Sequence, residues 1–205
     1  VDKIWYTLPH NENNTVYLGP KVENYYMHGT TPSIYKSVLK SFTLGGNGAA
    51  LGASTSPGAG WKYEADNGFA VSSNFTSQQG KGAPYGMIND ESPTSWATQV
   101  GYTQPQYSVS AIVNMKYNGW TDGYFQSIDG TARPGDGKST NIGLRGWWRP
   151  DNTGTATPSI SVGYDTSETD ATGNSTTPAY FVGLNWQYIK NADERNGIAS
   201  GQPQQ

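Results

Sequence analysis

From position 107 every second residue is apolar. Tyr107, Val109, Ala111, Val113, Met115 and Tyr117 are apolar, and Gln106, Ser108, Ser110, Asn114 and Lys116 between them are polar, with Ile112 the one exception. A period of two over this length predicts a strand with two unlike faces. Just before it, Trp96, Thr98, Val100 and Tyr102 share one face and Ser95, Ala97, Gln99, Gly101 and Thr103 the other. Gln104-Pro105 then reads as a tight turn between two antiparallel strands.

The same period recurs along the chain. Ile4, Tyr6 and Leu8 predict a first short strand, the polar run 9–14 a turn, and residues 15–27 a second strand. Trp61, Tyr63 and Ala65, then Phe69, Val71, Ser73 and Phe75, flank Asp66-Asn67-Gly68, a strong hairpin signal. Ile142, Leu144, Gly146 and Trp148 alternate with Asn141, Gly143, Arg145, Trp147 and Arg149. After the turn PDNTGTAT come Ile160, Val162 and Tyr164 against Ser159, Ser161, Gly163 and Asp165. The last clear strand carries Tyr180, Val182, Leu184, Trp186 and Tyr188 on one side and Ala179, Gly183, Asn185 and Gln187 on the other, with Phe181 breaking the pattern. This reading yields nine strands, or ten if 198–205 begins another. The connections run short, long, short, long throughout, the rhythm of an outer-membrane barrel with short turns at one end and long loops at the other.

The longest connection, 28–60, holds one helix-like piece, SIYKSVLKSF, with Ile34, Val38 and Phe42 at i, i+4, i+8 and Lys36 and Lys40 on another face. An apolar stripe of this kind needs cover. Folding back onto an inner barrel wall supplies it and leaves Lys36 and Lys40 beside an aqueous path; an extracellular cap or an intersubunit helix are the other placements.

The character of the two faces separates a membrane barrel from a soluble sandwich. A sandwich has an aliphatic inner face and a charged outer one. Here the apolar face carries Trp and Tyr towards its ends and the polar face is small and mostly uncharged, which is the membrane arrangement of lipid-facing apolar residues and a water-filled lumen. The outward set is then Trp96, Val100, Tyr107, Val109, Val113, Leu144, Trp148, Ile160, Val162, Val182, Leu184 and Trp186, and the inward set Gln99, Ser110, Asn114, Arg145, Ser161 and Asn185. Lys62, Glu64, Lys116, Arg145, Arg149 and Asp165 also fall on the inward side of their strands, where charge is tolerated. The alternative is a secreted all-β carbohydrate-binding or adhesion domain with these charges on a solvated surface and exposed Trp residues stacking on sugars.

Composition agrees with a wall around water. Only 34% of the 205 residues are hydrophobic while 13% are aromatic, with 26 Gly, 14 Tyr and 7 Trp, too few aliphatic side chains for a dry core of that size. A net charge of −3 and the lack of a Lys/Arg stripe argue against nucleic acid. Cysteine is absent, so thiolate chemistry and disulfides are excluded. His10 and His28 lack neighbours at ligand spacing, and no metal or cofactor is implied. GNGAALG at 46–52 has the wrong spacing for a dinucleotide loop, and Asp129-Gly130 and Asp136-Gly137 read as ordinary turns. No hydrolase, P-loop or zincin motif occurs. Glu64, Asp165 and Glu168 have no spacing that recommends a glycosidase pair. The chain begins directly in strand pattern without a start methionine, and reads as a mature or trimmed segment.

Several stretches carry a family resemblance: MINDESPTSWATQVGYT, NIGLRGWWRPDNTGTATPSISVGYDTSE, AYFVGLNWQYI, the closing NGIASGQPQ, and the early VDKIWYTLP with VYLGPKVENYYM. Over nearly its whole length the chain resembles the cyanobacterial outer-membrane porins classed with the OprB-type carbohydrate-selective porins, WWRPDNTGTATPSISVGY being the most specific segment. The resemblance implies a single porin domain over 1–205, all-β, an antiparallel transmembrane barrel in the outer membrane of a cyanobacterium. It implies passive diffusion of small hydrophilic solutes or ions, carbohydrates among them, no enzymatic activity, outer-membrane lipid as surroundings, and homo-oligomers, trimers by analogy with general porins. Members usually carry an S-layer-homology domain and coiled coil ahead of a barrel of about sixteen strands. Neither is present here, and nine or ten strands against about sixteen, without the aromatic-terminated closing strand, imply a part from the middle of a longer barrel. The expected pore-lining residues are Lys36, Lys40, Lys62, Glu64, Lys116, Arg145, Arg149 and Asp165.

Overall fold

The computed structural model describes residues 2–36, 40–46, 48–51, 55–78, 92–118, 120, 137–169, 176–188 and 195–202, and of residues 40, 41, 43, 48, 49 and 55 the backbone alone. The alternating segments form ten strands: β1 Ile4–Pro9, β2 Asn14–Glu23, β3 Thr55–Glu64, β4 Phe69–Ser77, β5 Thr94–Thr103, β6 Tyr107–Tyr117, β7 Ser139–Trp148, β8 Ser159–Thr169, β9 Thr176–Gln187 and β10 Arg195–Gln202. They build one sheet in which every strand pairs antiparallel with its neighbours in sequence, in the order β1 to β10. Antiparallel meanders need only local connections, and the two tightest turns sit where the sequence placed them. Gly68 has φ +94° and closes 65–68, and Gln104 and Tyr107 exchange backbone hydrogen bonds around Pro105. Among the described residues β1 and β10 each have one partner, so the sheet is not closed into a barrel.

Three differences from the sequence expectation have local causes. The second strand carries a register shift at Pro20, which supplies no ladder donor, and resumes pairing at Val22; it ends at Glu23 in a 3-10 turn, Asn24–Met27, where the Asn24 side chain is tied to Asn74 of β4. The third strand starts at Thr55, not Trp61. Its early residues are small because Met27 packs there: a Cβ on Gly60 would stand 2.7 Å from the Met27 sulfur. The short and long rhythm is clear for the first six connections, with 10–13, 65–68 and 104–106 at one end and 24–54, 78–93 and 118–138 at the other. It fades afterwards, since β8 and β9 extend into the Ser/Thr-rich stretch and leave only 170–175 between them.

The two faces of the sheet differ as their residues do. Trp96, Val100, Tyr107, Val109, Val113, Leu144, Trp148, Ile160, Val162 and Val182 are all exposed, and Leu184 and Trp186 are half-buried on the same face. The opposite face buries Ser72, Asn74, Ser95, Gln99, Asn114, Asn141, Arg145, Ser161, Asp165 and Asn185, with Ser110 half-buried. The buried face is the polar one. Over Ser72, Asn74, Gln99, Arg145 and Ser161 the described residues of the connection between β2 and β3 lie across it.

Candidate functional site: a segment laid across the polar wall

The segment 24–51 crosses the polar face strand by strand, each step fixed by a wall side chain. Asn24 donates to Asn74 Oδ1 of β4 at 2.7 Å. His28 Nδ1 lies 3.2 Å from Ser72 Oγ, also on β4. Thr30 donates its backbone N–H to Gln99 Oε1 of β5 at 3.0 Å. Trp147 Nε1 of β7 donates to the Thr31 carbonyl at 3.0 Å, and the Ile34 N–H donates to Ser161 Oγ of β8 at 3.2 Å. Tyr35 and Phe42 then close on Phe181 of β9, with ring centroids 5.6 and 5.7 Å apart. The chain returns to β7, where Arg145 Nε donates to the Leu44 carbonyl at 2.9 Å. It ends in the short helix α1, Gly48–Leu51, against β6 and β7. His28 Nε2, 3.2 Å from the Leu51 carbonyl, ties the end of the segment to its beginning.

The wall is shaped for this passage. A Cβ on Gly163 would stand 1.7 Å from the Gly45 carbonyl oxygen, and one on Gly101 2.4 Å from Thr30, so only glycine lets the segment approach so closely. Ile112 and Phe181, the two breaks in the strand alternation, are buried where the segment lands: Ile112 in a cluster with Ala50, Leu51 and Ala97, Phe181 beneath Tyr35 and Phe42. These inward apolar residues were the sequence signal for a docked segment.

The expected ten-residue helix over SIYKSVLKSF does not form in its described part. Residues 31–36 are irregular and Lys40–Gly45 is a 3-10 turn. The Ile34 N–H goes to Ser161 Oγ of the wall and the Tyr35 N–H to Ser33 Oγ at 3.1 Å. Positive φ at Leu44, Gly45 and Gly46 stops any continuation. Ile34 and Phe42 are nonetheless both half-buried against the wall; Val38 lies outside the described residues.

The candidate charges fall into distinct environments. Arg145 and Asp165 face each other at 2.8 Å with side chains only 1% and 2% exposed, beneath the segment that Arg145 holds. Lys62 pairs with Glu64 at 2.6 Å near the end of β3. Lys116 is buried at the far end of β6. Arg149 follows β7, exposed, its guanidinium over the Trp147 ring at 5.7 Å and its Nε donating to the Pro105 carbonyl at 2.7 Å. Lys36 is exposed. The Lys40 side chain lies outside the described residues, as do Asp129-Gly130 and Asp136.

On the outward face of β4 to β9 the aromatic residues form two borders, while Trp61 of β3 pairs with Ser73 midway between them. Near the short turns stand the register partners Phe69 and Tyr102, then the partners Tyr107 and Trp148, then Trp186. Near the long connections stand the partners Phe75 and Trp96, then Tyr117, then the partners Tyr164 and Tyr180. Val71, Val100, Val109, Val113, Ile142, Leu144, Val162 and Val182 lie between. Both borders slip along the register in the same direction: the Phe69 row reaches β9 at Val182, four positions from Trp186, and the Phe75 row reaches it at Thr176, four positions from Tyr180. Four residues of slip over five strand steps corresponds to a strand tilt of about 30°, near the range of membrane barrels. Compared with known proteins, the sequence matches no family model and no curated protein.

Proposed function

We propose that this chain forms wall of an outer-membrane porin barrel, a non-enzymatic pore for passive diffusion of small hydrophilic solutes or ions, of the cyanobacterial OprB-type class that its sequence resembles. The observation that carries the reading is the inversion of the sheet: an exposed apolar band bordered on both sides by aromatics, backed by a buried polar face. Apart from the hydroxyls of Ser73 and Thr98, which bond each other, the band is apolar, and a soluble protein leaves no such extended apolar surface in water. The borders on β5, Tyr102 and Trp96, are about 18 Å apart in Cα height at the derived tilt, and a ring at each edge brings the band towards the apolar height of about 25 Å typical of outer-membrane barrels. The segment 24–51, lying on the lumen side, narrows the path, and selectivity follows from lumen diameter and from Lys36, Lys40, Lys62, Glu64, Lys116 and Arg149 along it. Arg145 and Asp165 hold the segment in place. Lipid surrounds the outer face, and subunits assemble through part of it.

Leu144, half exposed in mid-band, tests this reading. Leu144→Arg destabilises the protein folded in lipid vesicles by about 2–4 kcal/mol if the face meets hydrocarbon. On a water-exposed sheet the same change stays within about 0.5 kcal/mol. Urea unfolding in vesicles separates the two, and an unaltered midpoint rejects the membrane placement.

A further inference from the structure

At the short-turn end of the wall the segment leaves a cavity of about 450 Å³ between residues 31–36, the β5–β6 turn and the β7–β8 connection, a volume suited to a small solute. Its charged lining is two cations against one carboxylate: Lys36, Arg149 and Asp151. Asp151 accepts from Gln106 Nε2, which holds it at the turn. Arg149 has its Nε committed to Pro105 and its guanidinium over the Trp147 ring, and among the described residues neither Arg149 nor Lys36 makes an ion pair. Elsewhere the cations Arg145 and Lys62 are matched by Asp165 and Glu64. The charged lining of this mouth, two cations and one carboxylate, thus has a positive excess. The rest of the lining mixes hydroxyls and amides, Ser33, Ser159 and Asn185 among them, with the apolar Ile34, Pro105 and Pro150. Asn185 is 4% exposed and its Oδ1 has no hydrogen-bond partner; an acceptor in that state lacks a donor.

We propose that this cavity is a binding site for small hydroxylated carboxylates. The fork of Arg149 and the point charge of Lys36 take the carboxylate, and the hydroxyl and amide lining takes the hydroxyls, one of which donates to Asn185. The proposal rests on the pore reading in one respect, that solutes reach the cavity through the lumen.

The test is isothermal titration of the full chain in detergent with sodium gluconate, glucose and sodium acetate at constant ionic strength. Gluconate binds at least about tenfold more tightly than either, since glucose lacks the charge and acetate the hydroxyls, and Lys36→Gln and Arg149→Gln each weaken it by about fivefold or more at unchanged circular dichroism. Glucose or acetate binding as tightly as gluconate, no gluconate binding, or equal binding by wild type and both variants overturns the site. Planar-bilayer conductance is read separately. A protein that conducts without binding gluconate as stated loses the site and keeps the pore; one that binds it as stated without conducting keeps the site and loses the pore.

Discussion

Arg145→Met releases the 24–51 segment from the wall. The guanidinium neutralises Asp165 at 2.8 Å, both side chains being almost wholly buried, and it also donates to the Leu44 carbonyl of the segment. Methionine fills much of the volume but leaves a buried carboxylate without its cation, a loss of about 3–5 kcal/mol where a buried pair is broken from one side. That energy falls on the docking of the segment, because the sheet keeps its ladder hydrogen bonds. The readout is hydrogen exchange at the Thr30 and Ile34 amides, which donate to Gln99 and Ser161 only while the segment is docked. Exchange there accelerates by about a hundredfold or more, with amides of β5 and β6 unchanged. Arg145→Met/Asp165→Leu recovers most of the protection, since removing both charges removes the buried imbalance. Unchanged exchange in the single variant means the pair does not hold the segment.

Acid loosens the same segment through His28. Its Nε2 faces the Leu51 carbonyl, which can only accept, so Nε2 carries the proton and Nδ1 accepts from the Ser72 hydroxyl. Burial pushes its pKa down to about 4, against the hydrogen bond to Leu51, which favours the charged form. With the segment undocked, His28 titrates near its ordinary value of about 6.5. The undocked form therefore binds more protons between these values. The stability of docking is present in full above about pH 6.5 and is lost progressively as the pH falls towards 4, by up to about 3 kcal/mol. Exchange at Thr30 and Ile34 measured from pH 7 to 4 and corrected for its intrinsic rate shows that loss in the wild type. In His28→Gln, which keeps a donor towards Leu51 and an acceptor towards Ser72, the slope over this window is absent. An identical slope in both proteins assigns the pH dependence to other groups.

How much of this was legible in the sequence depends on which physical signal each part leaves. A period of two is written by the sheet itself, so the strands around Trp96, Val109, Leu144 and Val162 and the side each residue faces could be read directly. The early part of β3 could not, because Ser56 to Gly60 are small for the sake of the segment packed on them and carry no alternation. In β10 only Ile198 marks the outward face. The helix expected over SIYKSVLKSF shows the opposite failure: its spacing was right for a helix, but the segment is laid on the wall instead, its Ile34 N–H on Ser161 and its Tyr35 and Phe42 rings on Phe181, and those contacts are invisible to a local pattern. The landing sites were visible as residues that broke the rule, Ile112 and Phe181. The charges Arg145 and Asp165 gave no sign that they meet, since their partnership depends on the register between β7 and β8 and on the segment above them.

Trp147 and Trp148 are adjacent in β7 and point to opposite faces, Trp147 buried with its Nε1 on the Thr31 carbonyl and Trp148 exposed in the aromatic border. Two single-tryptophan proteins, each keeping one of this pair and carrying phenylalanine at the other tryptophan positions, read the surroundings of the two faces independently. In vesicles of brominated lipid the fluorescence of Trp148 is strongly quenched and that of Trp147 is not, because only the outward ring meets the acyl chains. Trp148 unquenched by brominated lipid and quenched by aqueous iodide would contradict the account, for the apolar face would then be turned to water.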